Sequence, residues 1–249
     1  MRKFFVKENQ INDKKIEIID EDVNHIKNVL RLSEGERIKI CDSDNKINYI
    51  CEISEIFKQN IICNIIEKAE NEAEGNIELY IYQGLPKADK MELIIQKGTE
   101  LGVTSFIPVS MKRSIVKLDG KDESKKNERW QKIAEVAAKQ CGRDLIPEVK
   151  HVQKINDILD DIKNYDLLMV AYELEEVNYI KNELKVLPKK EEYKIAVVIG
   201  PEGGLEQEEV EKLKEAGAKV ISLGKRILRT ETVAMQVASI IMYELEENR

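Results

Sequence analysis

The sequence predicts an α/β protein: a small N-terminal module of short β-strands, then an open, mostly parallel sheet with helices on both faces. Three observations predict it. Short β-type runs crowd the first seventy residues, with one helical stretch among them. From residue 79 onward β-type and helical stretches alternate, the pattern of a parallel sheet whose crossovers are helices. Two late apolar runs stop at glycine, IAVVIG over 195–200 and VISLG over 220–224.

In chain order, a helix is predicted from about Asp20 to Leu32, with Val23, Ile26, Val29 and Leu30 on one face. Strands follow at Arg37–Cys41, Asn48–Ile53 and Ile61–Ile66. Residues 67–76, EKAENEAEGN, are charged and lack apolar periodicity, as a linker does. This divides the chain into a module over 1–72 and a second domain over 77–249. The second domain begins with a strand at Leu79–Gln83 and a helix at Lys90–Leu101, ended by Gly102, where glycine suits a left-handed cap. A strand at Ser105–Val109 and a long helix at Asn127–Cys141 come next. Then follow a strand at Leu167–Ala171, a helix at Asn178–Leu184, the strand Ile195–Ile199 and a helix reaching Ala216. The strand Val220–Leu223 leads to a final helix from Thr232, apolar around most of its circumference and therefore buried on several sides.

Composition narrows the classes. The 249 residues, 42% apolar, can hold one large domain or two smaller ones. No apolar run reaches a membrane span and MRKFFVKENQ lacks the apolar core of a signal peptide, so a cytoplasmic protein is expected. Cys41, Cys51, Cys63 and Cys141 show no C-x2-C pairing and the chain has two histidines, so no metal centre is expected and the thiols read as free and buried. The net charge of −7 argues against binding nucleic acid by bulk charge. The distribution is uneven: residues 110–143 hold ten Lys/Arg against five acids, net +5, which leaves −12 elsewhere. That segment also carries Trp130, the single tryptophan, and reads as an RNA-binding candidate.

The two glycine-ended strands point to a ligand, because ligands in open α/β sheets settle beyond the carboxyl ends of strands. Three nucleotide motifs fail. GPEGG at Gly200–Gly204 has no Lys-Ser/Thr of a P-loop, no Gly-x-Gly-x-x-Gly of a dinucleotide fold and no Gly-x-Ser-x-Gly of a nucleophile elbow. Glu202 would repel a phosphate. A cationic or neutral ligand approaching bare backbone fits better, with Gly200, Gly203 and Gly224 allowing close approach and Leu223, Ile227 and Leu228 offering apolar walls.

Together GPEGG and LGKRILRTET, Leu223–Thr232, resemble the two cofactor-binding motifs of the RsmE family. So do His25 with Val29-Leu30-Arg31, and the block Lys90-Met91-Glu92, Ile95-Gln96-Lys97 and Thr99–Val103. Arg129–Ile133, Gln140-Cys141-Gly142-Arg143 and Pro147 complete the series, five blocks in the same order over most of the chain. The resemblance implies an S-adenosylmethionine-dependent methyltransferase acting at N3 of a uridine in 16S ribosomal RNA, within the small subunit. It implies a PUA-like RNA-binding barrel at the N-terminus and a SPOUT-type trefoil knot at the C-terminus, dimerising through the final helix. Spacing alone would not predict a knot.

By resemblance the cofactor falls to Ile199, Gly200, Glu202, Gly203, Leu223, Gly224, Leu228, Arg229, Thr230, Glu231, Thr232 and Ala234, with Thr232 also read as an N-cap. Uracil N3 must lose a proton while its ring takes negative charge. Arg229 is the candidate for stabilising that charge, and Glu231 for taking the proton, with Glu202 a second candidate if burial raises its pKa. A route without a base, in which positioning dominates, stays open. RNA contacts are expected from Arg2, His25, Arg31, Lys90, Arg113, Lys132 and Arg143. Two other readings remain: a knotted methyltransferase for another nucleotide or transfer RNA, and a non-catalytic RNA-binding assembly factor.

Overall fold

The computed structural model describes residues 1–45, 47–71 and 73–246. Residue 72, at the expected domain boundary, and residues 247–249, at the end of the expected second domain, lie outside the described residues. The chain forms two compact units: residues 1–74 with 138–146, and residues 75–137 with the chain from 147 onward.

The first unit is a curled six-stranded sheet. Its strands are β1 (Lys3–Val6), β2 (Ile11–Asn12), β3 (Lys15–Ile19), β4 (Arg37–Asp42), β5 (Ile47–Ile56) and β6 (Asn60–Ala69). They lie in the order β1-β4-β5-β6-β3-β2. The two edge strands, β1 and β2, are joined by only four residues, a span from Val6 to Ile11 of at most about 18 Å. The sheet must therefore curl until its edges meet, and the curl encloses Phe4, Val6, Ile16, Ile18, Ile38, Ile40, Ile53 and Ile61. The helix expected over residues 20–32 is shorter and wider than predicted. It begins as α1 (Glu21–Asn24), continues as a π-helical turn over His25–Leu30 and stops at Arg31, whose φ is +55°. The strand Ile61–Ile66 extends to Ala69, so part of the expected linker belongs to the sheet. Sequence reading missed β1, β2 and β3, which are short and carry no turn signature of their own.

Residues 138–146 belong to this unit. Ala138 and Ile146 pack on Phe5 and Cys41. Asp144 accepts a hydrogen bond from Lys3 Nζ at 2.6 Å, lies 3.3 Å from Lys39 Nζ and accepts from the Ala73 amide at 3.0 Å. Cys41, Cys51 and Cys63 are buried, and burial pushes each thiol up to about 12. Cys141 is exposed, against the expectation that all four thiols are buried.

The second unit contains β7 (Ile77–Gly84), α2 (Lys90–Glu100), β8 (Ser105–Ser110), α3 (Gly120–Cys141, its last turn in the first unit), β9 (Glu148–Val149), β10 (Gln153–Lys154) and α4 (Ile155–Asp161). It continues with β11 (Leu167–Ala171), α5 (Ile180–Val186), β12 (Tyr193–Ile199), α6 (Gln207–Glu215), β13 (Lys219–Ile221) and α7 (Thr230–Leu245). The sheet order is β10-β8-β7-β12-β11-β13, with β9 also on β8, and every pair is parallel. Helices α2, α5 and α7 pack together on one face, and α4 packs with α6. Strand alternation supplies both faces: Tyr82, Ile107, Val109, Val170, Ala196 and Val198 join Ile158 of α4 and Val210 and Leu213 of α6 in one core. Trp130 is 4% exposed, so it is core and not a stacking surface for RNA.

Candidate functional site

The carboxyl ends of β11, β12 and β13 meet at a cleft of about 460 Å³ in the second unit. The two motif loops do not follow neighbouring strands, because β11 lies between β12 and β13. A third segment, Ala171–Glu173 after β11, therefore completes the lining. No glycine marks that strand end in the sequence, so only the sheet order reveals it.

The loop after β12 folds on itself. The Gly204 amide donates to the Pro201 carbonyl at 2.9 Å, and Gly204 adopts φ +72°. A Cβ on Gly200 would lie 2.9 Å from the Gly204 carbonyl carbon, and one on Gly203 would lie 3.1 Å from Arg113 Cβ. These two glycines therefore also serve the loop's own packing. Gly224 differs: at φ +114° it has nothing within 4 Å of a Cβ position.

Gln83, at the end of β7, is fully buried and ties the two loops together. Its Nε2 donates to Thr230 Oγ1 at 2.8 Å and to the Gly84 carbonyl at 2.9 Å, and lies 3.5 Å from the Gly200 carbonyl. Thr230 in turn donates to the Gly200 carbonyl at 2.7 Å. One threonine of the second motif is thus pinned to the first glycine of the first. Helix α7 begins at Thr230 with Arg229 as its cap, so Thr232 lies inside the first turn and is not the N-cap.

Lys90, expected to meet RNA, lines this cleft and bridges two carboxylates: Glu202 at 3.0 Å and Glu231 at 3.3 Å. The Glu231 contact is an ion pair without hydrogen-bond geometry, since Glu231 Oε2 is buried and has no hydrogen-bond partner. Burial by itself would raise the Glu202 carboxyl. Hydrogen bonds from its own amide, from Lys90 and from the Lys87 amide, with the Lys90 charge, outweigh it and hold the group below the usual carboxylate range. The raised pKa that would favour Glu202 as a base is therefore absent.

Of the twelve cofactor candidates, Ile199, Gly200, Glu202, Gly203, Leu223, Gly224, Leu228, Arg229 and Thr230 line the cleft. Glu231 reaches it through Lys90, Thr232 is exposed away from the lining and Ala234 is buried within α7. The RNA candidates scatter. Arg113 holds the first loop: Nη1 donates to the Gly203 carbonyl at 2.9 Å and Nε to Glu206 at 3.0 Å. Arg143 is 5% exposed and its guanidinium grips Glu74 at 2.6 and 3.2 Å, so it is a structural cation unavailable to RNA. Lys132 lies exposed, 3.4 Å from Glu135. Arg2, His25 and Arg31 are exposed on the first unit, His25 edge-on to Phe4.

The chain joins a parallel α/β unit with a strand-end cleft to a curled β-module, and comparison with known proteins gives this pairing a family. A family model described as the RNA methyltransferase domain matches residues 73–242, and one described as the RNA methyltransferase PUA domain matches residues 18–66. The chain is 43% identical to ribosomal RNA small subunit methyltransferase E of Bacillus subtilis, over 92% of this chain and 90% of that one. It is 33% identical to the protein of that name from Mesomycoplasma hyopneumoniae, over 94% and 96%. A crystal structure of ribosomal RNA small subunit methyltransferase E from Neisseria gonorrhoeae, bound to S-adenosyl methionine, superposes with a TM-score of 0.83 at 27% identity, covering 99% of this chain and 98% of that one. The chain belongs to the ribosomal RNA small subunit methyltransferase E family, the RsmE family whose motifs it carries.

Proposed function

We propose that this protein uses S-adenosylmethionine to methylate N3 of one uridine in the 16S ribosomal RNA of the small subunit. The observation that carries the reading is the cleft itself: both family motifs converge on it and are locked to each other through Thr230 and Gly200. Its volume lies within the ~300–1,000 Å³ range of small-molecule sites. Its chemistry fits the cofactor. Ile199, Leu223 and Leu228 offer apolar walls for an adenine, Gly224 presents open backbone, and the Glu202 carboxylate suits a ligand that bears positive charge and no phosphate. When bound, S-adenosylmethionine supplies a methyl group activated by its sulfonium.

The remaining chemistry falls to side chains. Arg229 is exposed at the cleft, and its side chain has no hydrogen-bond or ion-pair partner among the described residues. Its guanidinium is available to stabilise negative charge on a uracil carbonyl oxygen. Glu231 Oε2 is shielded and lacks a hydrogen-bond donor. Lys90 stands 3.3 Å from it and balances the carboxylate charge, and Glu231 remains the candidate to take the N3 proton. The uridine must leave its stack to present N3. In this reading the protein is a cytoplasmic homodimer that acts on RNA within the assembled small subunit.

Mass spectrometry of nucleosides from small-subunit RNA, from cells with and without the gene, tests the assignment. One methylated uridine should vanish on deletion and return with the intact chain. Loss of a methyl mark from transfer RNA or from another base would instead support one of the rival readings.

A further inference from the structure

The cations first expected to hold RNA are largely spoken for: Lys90, Arg113, Arg143 and Lys132 all face carboxylates. The loop joining β13 to α7 is different. Lys225, Arg226 and Arg229 are exposed at the edge of the cleft, and their side chains make no hydrogen bond or ion pair among the described residues. Between them Ile227 is 89% exposed, a branched aliphatic side chain held in solvent within a run of cations. Nothing in the packing of this unit accounts for that placement.

We propose that residues 225–227 form an RNA-contacting lip on the cofactor cleft: Lys225 and Arg226 hold backbone phosphates, and Ile227 packs against a base next to the extruded nucleotide. The inference rests on the methyltransferase reading and adds to it a surface that the motif alone does not assign. Three features support RNA as the occupant. The side chains of Lys225 and Arg226, exposed and without ion-pair partners among the described residues, match phosphates. The apolar side chain can take up the stacking face that an extruded base leaves open, the use that apolar wedges have in kinked nucleic acids. And the loop backbone lines the cofactor cleft, so an RNA held there lies beside the site of methyl transfer.

The test uses the full chain and a 16S ribosomal RNA transcript. Binding is followed against potassium chloride concentration for wild type, for the double variant Lys225→Ala/Arg226→Ala and for Ile227→Ala, with calorimetry of S-adenosylmethionine and light scattering in parallel. The double variant should bind the transcript more weakly, with a log–log salt slope shallower by about 1.4, two contacts at about 0.7 each for single-stranded RNA. Ile227→Ala should bind about tenfold more weakly at an unchanged slope, as loss of apolar contact predicts. RNA binding is measured at saturating cofactor, and any fall in cofactor affinity should be smaller than the fall in RNA affinity. An unchanged slope in the double variant overturns the lip, and so does loss of cofactor binding without loss of RNA binding. A variant that changes the oligomeric mass marks the loop as a contact between copies and equally overturns it. A wild-type chain that neither binds nor methylates the transcript or intact small subunits defeats the methyltransferase reading itself, an outcome distinct from variants that match an active wild type.

Discussion

At the residue scale, charge pairing separates structural ions from functional ones. The Arg229 side chain has no partner among the described residues and stands at the cleft, so Arg229→Ala should cut the methylation rate at saturating cofactor by about 100-fold, the usual loss when one such donor is removed. A variant that keeps its saturated rate would leave Arg229 as a loop residue only. Arg143 is the opposite case. Truncating it strands Glu74 in a largely buried position, and Arg143→Ala should cost about 3 kcal/mol in urea unfolding while RNA binding by the folded fraction stays intact. Asp144 makes the same unit sensitive to acid. Burial would raise its carboxyl, but the hydrogen bonds from Lys3 and the Ala73 amide and the charges of Lys3 and Lys39 hold it below the ordinary value of 3.8. A depressed folded value contributes stability in full above the ordinary value and loses it as pH falls through the folded one. The stability gap between wild type and Asp144→Asn should therefore be constant near neutral pH and shrink below about pH 4. A gap that persists at low pH would show that the ion cluster is not its source.

At the element scale, the cleft depends on strands outside the motifs. Gly84 ends β7, and a Cβ there would lie 2.6 Å from the Pro201 ring and 2.7 Å from its nitrogen. Gly84→Ala must push the GPEGG loop away from Gln83 and Thr230. Cofactor affinity should drop by at least about tenfold, a shift of ~1.4 kcal/mol, while the fold persists; unchanged affinity in calorimetry would mean that the loop has slack the packing does not suggest. Helix α7 shows why a one-dimensional pattern misleads about interfaces. Ala234, Val237, Ala238 and Ile241 are buried within the chain, so a charge at Ile241 tests folding and not association. Tyr243 on the same helix is 86% exposed.

At the scale of the whole molecule, that exposed tyrosine offers a test of the proposed dimer. Light scattering should give about twice the mass of one chain, and Tyr243→Glu should shift it toward the monomer, because an unpaired charge in a packed interface is costly. A wild-type monomer with full activity would remove the dimer from the proposed function.

Sequence alone determined the fold class and the chemistry of the two loops. Alternating apolar runs report strand burial directly, and glycine after a strand reports a tight turn; both are local rules that a chain obeys wherever it packs. The strands of the second unit at 79–83, 105–109, 167–171 and 195–199 were legible for that reason, as was most of the cleft lining from Ile199 to Thr230. Tertiary structure decided what depends on partners distant in sequence. It placed β11 between the motif strands and brought Ala171–Glu173 into the cleft. It tied Gln83 to Thr230 across 147 positions and returned Ala138–Ile146 to the N-terminal sheet. It also sorted the cations. A lysine or arginine reads the same in sequence whether it is free or neutralised, because its partner is chosen by three-dimensional proximity: Lys90 by Glu202 and Glu231, Arg113 by Glu206, Arg143 by Glu74.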